Sequence, residues 1–274
     1  MPELPEVETT LRGITPHIAA KTITDLIVRQ PRLRYLVPDN LKQKLKGEKL
    51  LDVERRAKYL LLRFRHGVLI IHLGMSGSLR IIDSKITAET RPEKHDHVDV
   101  VFDDTILRFR DPRRFGMVLW TQDDVFTHPL LRHLGPEPFD TAFNADYLFR
   151  LSRKKKLATK QFIMDNKVVV GVGNIYASES LFMSAIRPGK AAGRLSRKEC
   201  EILVDNICTV LKEAIQSGGT TLKDFTNSEG NPGYFAQSLN VYGRSGEECY
   251  ACGEEIKSKM IAQRNTFYCP HCQH

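Results

Sequence analysis

The residues with the most chemical potential stand at the start of the chain, where positions 1–8 read Met-Pro-Glu-Leu-Pro-Glu-Val-Glu. Removal of Met1 would leave Pro2 as a free secondary amine, with the carboxylates of Glu3 and Glu6 directly behind it. An α-amino group titrates near ~8, so an appreciable fraction is an unprotonated nucleophile at neutral pH without the burial a lysine would need. Such an amine can attack an electrophilic carbon, and a neighbouring carboxylate can move the protons. With Met1 retained, the same nitrogen would be a tertiary amide and unreactive. Taken alone, these residues also fit a plainer role, in which Pro2 starts a helix and Glu3, Glu6 and Glu8 are first-turn acids complementing its dipole.

The second chemical grouping lies at the other end. Cys249, Cys252, Cys269 and Cys272 form two Cys-x-x-Cys knuckles separated by 16 residues, a spacing that lets a β-hairpin bring four thiolates around one Zn²⁺. A disulfide pair or a redox motif is disfavoured, because the chain lacks secretion features and a βαβ context around the cysteines. Four protein ligands leave no open position, so the metal is structural. The ribbon between the knuckles, Ile256 to Thr266, carries Lys257, Lys259 and Arg264, and a stapled basic ribbon suits a nucleic-acid groove. Cys200 and Cys208 fall in a helical pattern and are expected in the core.

These groups need elements to hold them. Val7, Leu11, Ile14 and Ile18 recur at helical spacing, predicting an amphipathic helix over 5–19 despite Pro16. Lys58 to Phe64 and Val68 to Leu73 flank a His66-Gly67 turn, while Val98 to Phe102 and Ile106 to Arg110 flank Asp103-Asp104; both read as hairpins of an antiparallel sandwich. Beyond about residue 130 the pattern turns helical. Ser196 and Glu199 form a capping box ahead of the stripe Leu203, Ile207, Leu211, Ala214, Ile215, which ends at Gly218-Gly219. Upstream, Gly171-Val-Gly173-Asn174 opens another helix, where backbone N–H groups could hold a phosphate, although a simple interhelical turn has the same pattern. Residues 217–238, rich in Gly, Thr, Ser and Asn, form a long loop of a length that usually signals function or disorder.

With 274 residues, 41% apolar content and a net charge of +8, the chain has ample core and a basic surface that points towards a polyanion. It has no apolar run long enough for a membrane span and no signal-peptide layout, so a cytoplasmic location is the default.

Eight motifs in order carry a resemblance to a known family: Pro2-Glu-Leu-Pro-Glu-Val-Glu8, Arg55-Arg-Ala-Lys58-Tyr-Leu, His72-Leu-Gly-Met75-Ser-Gly, Lys94-His95-Asp-His97, Asp111-Pro-Arg113-Arg-Phe115-Gly, the run Met164 to Tyr176, Val241-Tyr-Gly-Arg244 and the four cysteines. On these the chain resembles the formamidopyrimidine-DNA glycosylases, bacterial repair enzymes for oxidised guanine. The resemblance implies an α+β chain: an N-terminal helix and antiparallel β-sandwich (2–131), a helix-two-turn-helix module (132–219), a lesion-capping loop (220–238) and a zinc hairpin (239–274), with DNA across the cleft between the halves. A monomer acting on double-stranded DNA in the bacterial cytosol, at the nucleoid, is expected.

The resemblance also assigns roles. Pro2 attacks C1′ of the damaged nucleoside and holds the sugar as an iminium. Glu3 is general acid and base, Glu6 supports the geometry, Lys58 serves β-elimination and Arg264 δ-elimination. Met75 fills the space left by the extruded base, Phe115 wedges into the stack, and Arg113 bonds the unpaired cytosine; without the motifs, Met75 and Phe115 would pass for core residues. His72, His95, Lys155, Asn174 and Arg264 are phosphate contacts, although Lys154 to Lys156 also fit a solvated helix face. Thr220, Thr221 and Tyr234 lie where a cap on the flipped base belongs. Two alternatives stay open: an endonuclease VIII-type enzyme for oxidised pyrimidines, against which Met75, Arg113 and Phe115 argue, and a lesion-binding protein without catalysis.

Overall fold

The computed structural model describes residues 2–83, 91–219 and 239–274. They form two compact units, one of residues up to Arg132 together with 217–219, the other of 133–216 and 239–274.

The first unit begins with helix α1 (Leu4–Ile18). Pro5 occupies its first turn, where a missing N–H costs nothing. Of the predicted stripe, Val7, Ile14 and Ile18 are buried and Leu11 is half-buried against the same core, with Leu4 buried as well. Pro16 falls within the last turn and does not stop the helix before Ile18. The helix packs on β2, β3, β5 and β7 of two antiparallel sheets. One sheet has the order β1-β6-β7-β5 (Ile23–Val28, Asp96–Phe102, Thr105–Arg110, Ser78–Asp83), the other β2-β3-β4-β8 (Asp52–Arg56, Tyr59–Phe64, Gly67–His72, Met117–Thr121). Leu60, Leu62, Leu69 and Ile71 of the second sheet share one core with Val98, Val100, Leu107 and Phe109 of the first, as a sandwich requires. A short helix α2 (Leu41–Leu45) covers β1.

The second unit holds α3 (Ala145–Ser152), α4 (Thr159–Ile163), α5 (Asn174–Met183) and α6 (Arg197–Gln216), then the hairpin β9–β10 (Lys257–Ile261, Arg264–Tyr268). Helix α6 opens on the expected capping box: Ser196 Oγ accepts from the Glu199 N–H at 3.1 Å, and the Glu199 carboxylate accepts from the Ser196 N–H at 2.9 Å. Its stripe Leu203, Ile207, Leu211 and Ala214 packs with Phe162, Tyr176 and Leu181 of α4 and α5. Cys200 is fully buried in this core, and burial pushes its thiol up to about 11, so it is unreactive. Cys208 packs at the core's margin and donates to the Pro138 carbonyl at 3.0 Å. Among the described residues no helix is long and apolar enough to cross a membrane.

Candidate functional site

Pro2 is buried immediately ahead of α1. Glu3 is the helix N-cap, and the two acids close a reciprocal box: the Glu3 carboxylate accepts from the Glu6 N–H, and Glu6 Oε2 accepts from the Glu3 N–H at 2.7 Å. Both carboxylates are almost fully buried, at 3% and 2% exposure. Helix capping and the placing of two carboxylates behind Pro2 are thus one structure. Gly219 approaches the same place, where a Cβ would stand a tight 3.2 Å from Glu6 Oε1, and its left-handed φ of +84° strains any other residue.

Lys58 lies in the turn between β2 and β3. Ala57 adopts a left-handed φ of 55°, and Arg55 clamps the turn to α1 by donating to the Ala57 carbonyl at 2.9 Å and to Glu8 Oε2 at 2.8 Å. Burial alone would raise the Glu8 carboxyl, but hydrogen bonds and charges from Arg55 and Arg12 outweigh it and hold the group below the ordinary glutamate value. Lys58 itself is 7% exposed, so it is not a surface strand lysine. Its charge is felt by His72, the last residue of β4. Burial, with Lys58 and then Arg34 adding to it, lowers the His72 pKa to about 4. His72 is therefore neutral at pH 7; its Nδ1 accepts from the Gly74 N–H at 2.9 Å, which leaves Nε2–H as a donor.

Three other predicted residues lie beyond His72 in the same unit. Met75 is half-buried between β4 and β5, whereas Arg113 and Phe115 are exposed after β7. The Arg113 guanidinium stands 5.0 Å from the centre of the Phe115 ring, and Phe115 is 43% exposed, so it is not a core residue. Arg34 N–H donates to the Gly116 carbonyl at 3.1 Å, which docks the loop after β1 beside them. His95 is half-buried, its ring edge-on to that of His97 with centroids 6.4 Å apart.

In the second unit the turn before α5 is fixed by Asp165, whose carbonyl accepts from Val168 and Val169 N–H at 2.8 and 3.2 Å, and by Gly171 at φ +85°. Gly173 is the N-cap and has no side chain with which to cap the helix itself. Asn174 opens the helix, and its Nδ2 donates to the Asn265 carbonyl at 3.0 Å. That carbonyl adjoins Arg264, the exposed first residue of β10 after the Ala262-Gln263 turn. Lys155 is exposed, but Lys154 to Lys156 follow the end of α3 in a loop with Lys154 at φ 62°; they are not a helix face.

The four cysteine sulfurs lie within 4.8 Å of one another, with Cys249 to Cys272 at 3.9 Å and Cys252 to Cys269 at 3.5 Å. A Zn²⁺ with Zn–S bonds of ~2.3 Å needs a tetrahedron edge of roughly 3.8 Å, so the donor set fits a closed site.

Three contributors were missed from sequence. Lys160 is 1% exposed and donates to Thr266 Oγ1 at 3.0 Å and towards the Asn265 carbonyl at 3.4 Å. Glu179, 2% exposed, accepts from the Asn240, Val241 and Tyr242 N–H groups at 2.8, 3.0 and 2.8 Å. The third is Asp111, fully buried beside the Arg113–Phe115 segment. A charged residue inside an apolar helical stretch was the available signal for Lys160 and Glu179; a buried ion there must have a partner. Thr220, Thr221 and Tyr234 lie outside the described residues.

Three family profiles match in chain order: the formamidopyrimidine-DNA glycosylase N-terminal domain over residues 1–118, the H2TH domain of the same enzymes over 134–226, and the zinc finger found in FPG and IleRS over 246–274. The last agrees with the sulfur geometry, and the four cysteines hold one structural zinc. The formamidopyrimidine-DNA glycosylases of Saccharophagus degradans and Neisseria meningitidis are 55% and 52% identical to the chain over 274 residues, covering all of each sequence. Among solved structures, a mutant Lactococcus lactis FPG in complex with a Fapy-dG containing DNA superposes with a TM-score of 0.92 at 33% identity, covering 100% of both chains. The FPG protein of Thermus thermophilus gives 0.88 at 36%, covering 99% of this chain and 98% of that one. The chain belongs to the formamidopyrimidine-DNA glycosylase family.

Proposed function

We propose that the protein excises oxidised purines, 8-oxoguanine and formamidopyrimidines, from duplex DNA and then cuts the strand at the resulting site. The observation that carries this reading is the joint placement of Pro2, Glu3 and Glu6 at the head of α1, with Lys58 held in a turn that Arg55 ties to the same helix. Once Met1 is removed, the Pro2 nitrogen attacks C1′ and the glycosidic bond breaks, its electron pair leaving with the base. Glu3 exchanges protons with the sugar as the ring opens to an iminium, and Glu6 holds Glu3 in place. The positive nitrogen acidifies the C2′ proton. Glu3 takes that proton, the C–H electron pair expels the 3′ phosphate as Lys58 donates a proton to it, and a second elimination assisted by Arg264 expels the 5′ phosphate. Hydrolysis of the iminium frees Pro2.

Extruding the base costs a few kcal/mol of pairing and stacking. Met75 fills the gap, Phe115 enters the stack and Arg113 bonds the orphaned cytosine. The phosphate contacts are His72, His95, Lys155, Asn174 and Arg264, with the N–H groups of α5 beside Asn174. The zinc, bound by Cys249, Cys252, Cys269 and Cys272, fixes the ribbon that presents Arg264. The protein works as a monomer in the cytosol, at the nucleoid.

Duplexes carrying 8-oxoguanine opposite cytosine, or thymine glycol, separate the lesion classes. Cleavage of the first supports the reading. Cleavage of the thymine glycol duplex alone would move the protein to the endonuclease VIII type, and binding without cleavage of either would make it a lesion-binding protein.

A further inference from the structure

Met75 and the pair Arg113 and Phe115 lie on separate loops, one between β4 and β5 and the other after β7. Their backbones meet. Gly74, at φ +67°, lies so close to the Phe115–Gly116 peptide that a Cβ would stand 2.5 Å from the Gly116 nitrogen and 2.5 Å from the Phe115 carbonyl carbon. A Cβ on Gly116 would in turn stand 2.8 Å from the His72 carbonyl oxygen. One buried side chain bridges the junction: Asp111, at 0% exposure. Its Oδ1 accepts from the Ser76 hydroxyl at 3.0 Å, on the Met75 loop, and from the Arg113 N–H at 3.2 Å, on the other. Its Oδ2 accepts from the Gly116 N–H at 2.7 Å. The Asp111 backbone is fixed as well, by its N–H to the His95 carbonyl at 3.0 Å and by His97 Nε2 on its own carbonyl at 2.8 Å.

We infer that Asp111 is a positioning residue that locks the Met75 loop to the Arg113–Phe115 loop, so that gap filler and wedge enter the duplex as one preassembled block. The inference rests on the reading of Met75 and Phe115 as insertion residues. Two independent loops would each lose conformational freedom when they enter the stack, whereas a block already ordered by a buried carboxylate does not. Asparagine cannot replace Asp111 without loss, because its amide N–H would face either the Gly116 N–H or that of Arg113, donor against donor.

The test uses the full, zinc-loaded chain and a duplex with 2-aminopurine beside the lesion, whose fluorescence rises when the stack is opened. Excision of 8-oxoguanine is compared with cleavage of a preformed abasic site, where no base has to be extruded. Relative to abasic-site cleavage, the fluorescence rise and excision should slow roughly 5-fold in Ser76→Ala and roughly 10-fold or more in Asp111→Asn, the range for losing a buried bond to a neutral or charged partner. Ser76→Ala keeps the test valid where Asp111→Asn fails to fold. Met75→Ala reports on the underlying reading. A slow Met75→Ala beside wild-type behaviour of Ser76→Ala and Asp111→Asn would overturn the lock and spare the insertion residues. A wild-type Met75→Ala would overturn the insertion reading and the lock with it. Equal loss of excision and abasic-site cleavage, tracking a lower melting temperature, would reduce Asp111 to a fold-stabilising residue and overturn the proposal.

Discussion

His72 gives a stability prediction whose sign and size follow from its surroundings. Burial, the Lys58 ammonium and the Arg34 guanidinium lower its pKa from 6.5 to about 4, while the unfolded chain titrates near the ordinary value. Between pH 6.5 and 4 the unfolded state therefore binds a proton that the folded state refuses, and stability rises with pH across that window. The corresponding contribution is fully present above 6.5 and is lost as pH falls towards 4, at up to about 1.4 kcal/mol per pH unit. Across the whole shift this amounts to roughly 3 kcal/mol, on the order of 2 kcal/mol once partial solvent screening is allowed for. In His72→Asn, the amide oxygen can still accept from Gly74 N–H, but the titration is gone. The single tryptophan, Trp120, sits on β8 opposite Leu69 of β4, so its fluorescence during urea unfolding reports on the sheet that carries His72. The wild type should lose stability faster than His72→Asn between pH 6.5 and 4, and the two curves should run parallel above pH 7. An imidazole that titrates near 6.5 by NMR, or parallel curves throughout, would refute the reasoning.

The other elements of the site give sharper functional outcomes. Arg55→Ala cuts the tie between Glu8 and the Lys58 turn, and single-turnover cleavage of an abasic site should slow about 10-fold or more, as for a lost buried charge-assisted bond, with DNA affinity changed much less; an unchanged cleavage rate would show that the turn holds itself. Lys160→Met removes the ammonium under the Arg264 hairpin and should weaken DNA binding roughly 10-fold with zinc retained; unaltered binding would contradict a role in placing Arg264. Cys269→Ser, or a strong chelator, should release zinc and weaken binding by a similar or larger factor, because the closed site is what orders the ribbon; full affinity in zinc-free protein would overturn the finger's part in the interface.

How far the sequence carried these conclusions depends on the range of the interaction behind each one. The α1 stripe, the capping box at Ser196 and Glu199 and the two knuckles are local patterns, and each appears where its spacing puts it. Lys58 is different. Its burial depends on a left-handed Ala57 and on the contact between Arg55 and Glu8, 47 positions apart, and no periodicity encodes either. Asp111 and Ser76 meet across 35 positions, and Lys160 and Thr266 across 106. Charged residues in such places look like solvated surface until the fold supplies their partners. Lys154 to Lys156 shows the converse: good helix formers placed after a helix that ends at Ser152, since propensity is weak beside tertiary context.

The central claim is that Pro2 is the nucleophile, and borohydride trapping tests it most directly. The chain, shown by intact mass to have lost Met1 and to carry zinc, is incubated with an 8-oxoguanine:C duplex and reductant. A covalent adduct that maps to Pro2, and disappears in Pro2→Gly while DNA binding persists, is the predicted result. No adduct from Met1-free, zinc-loaded protein, or an adduct mapped to a lysine, would contradict the account.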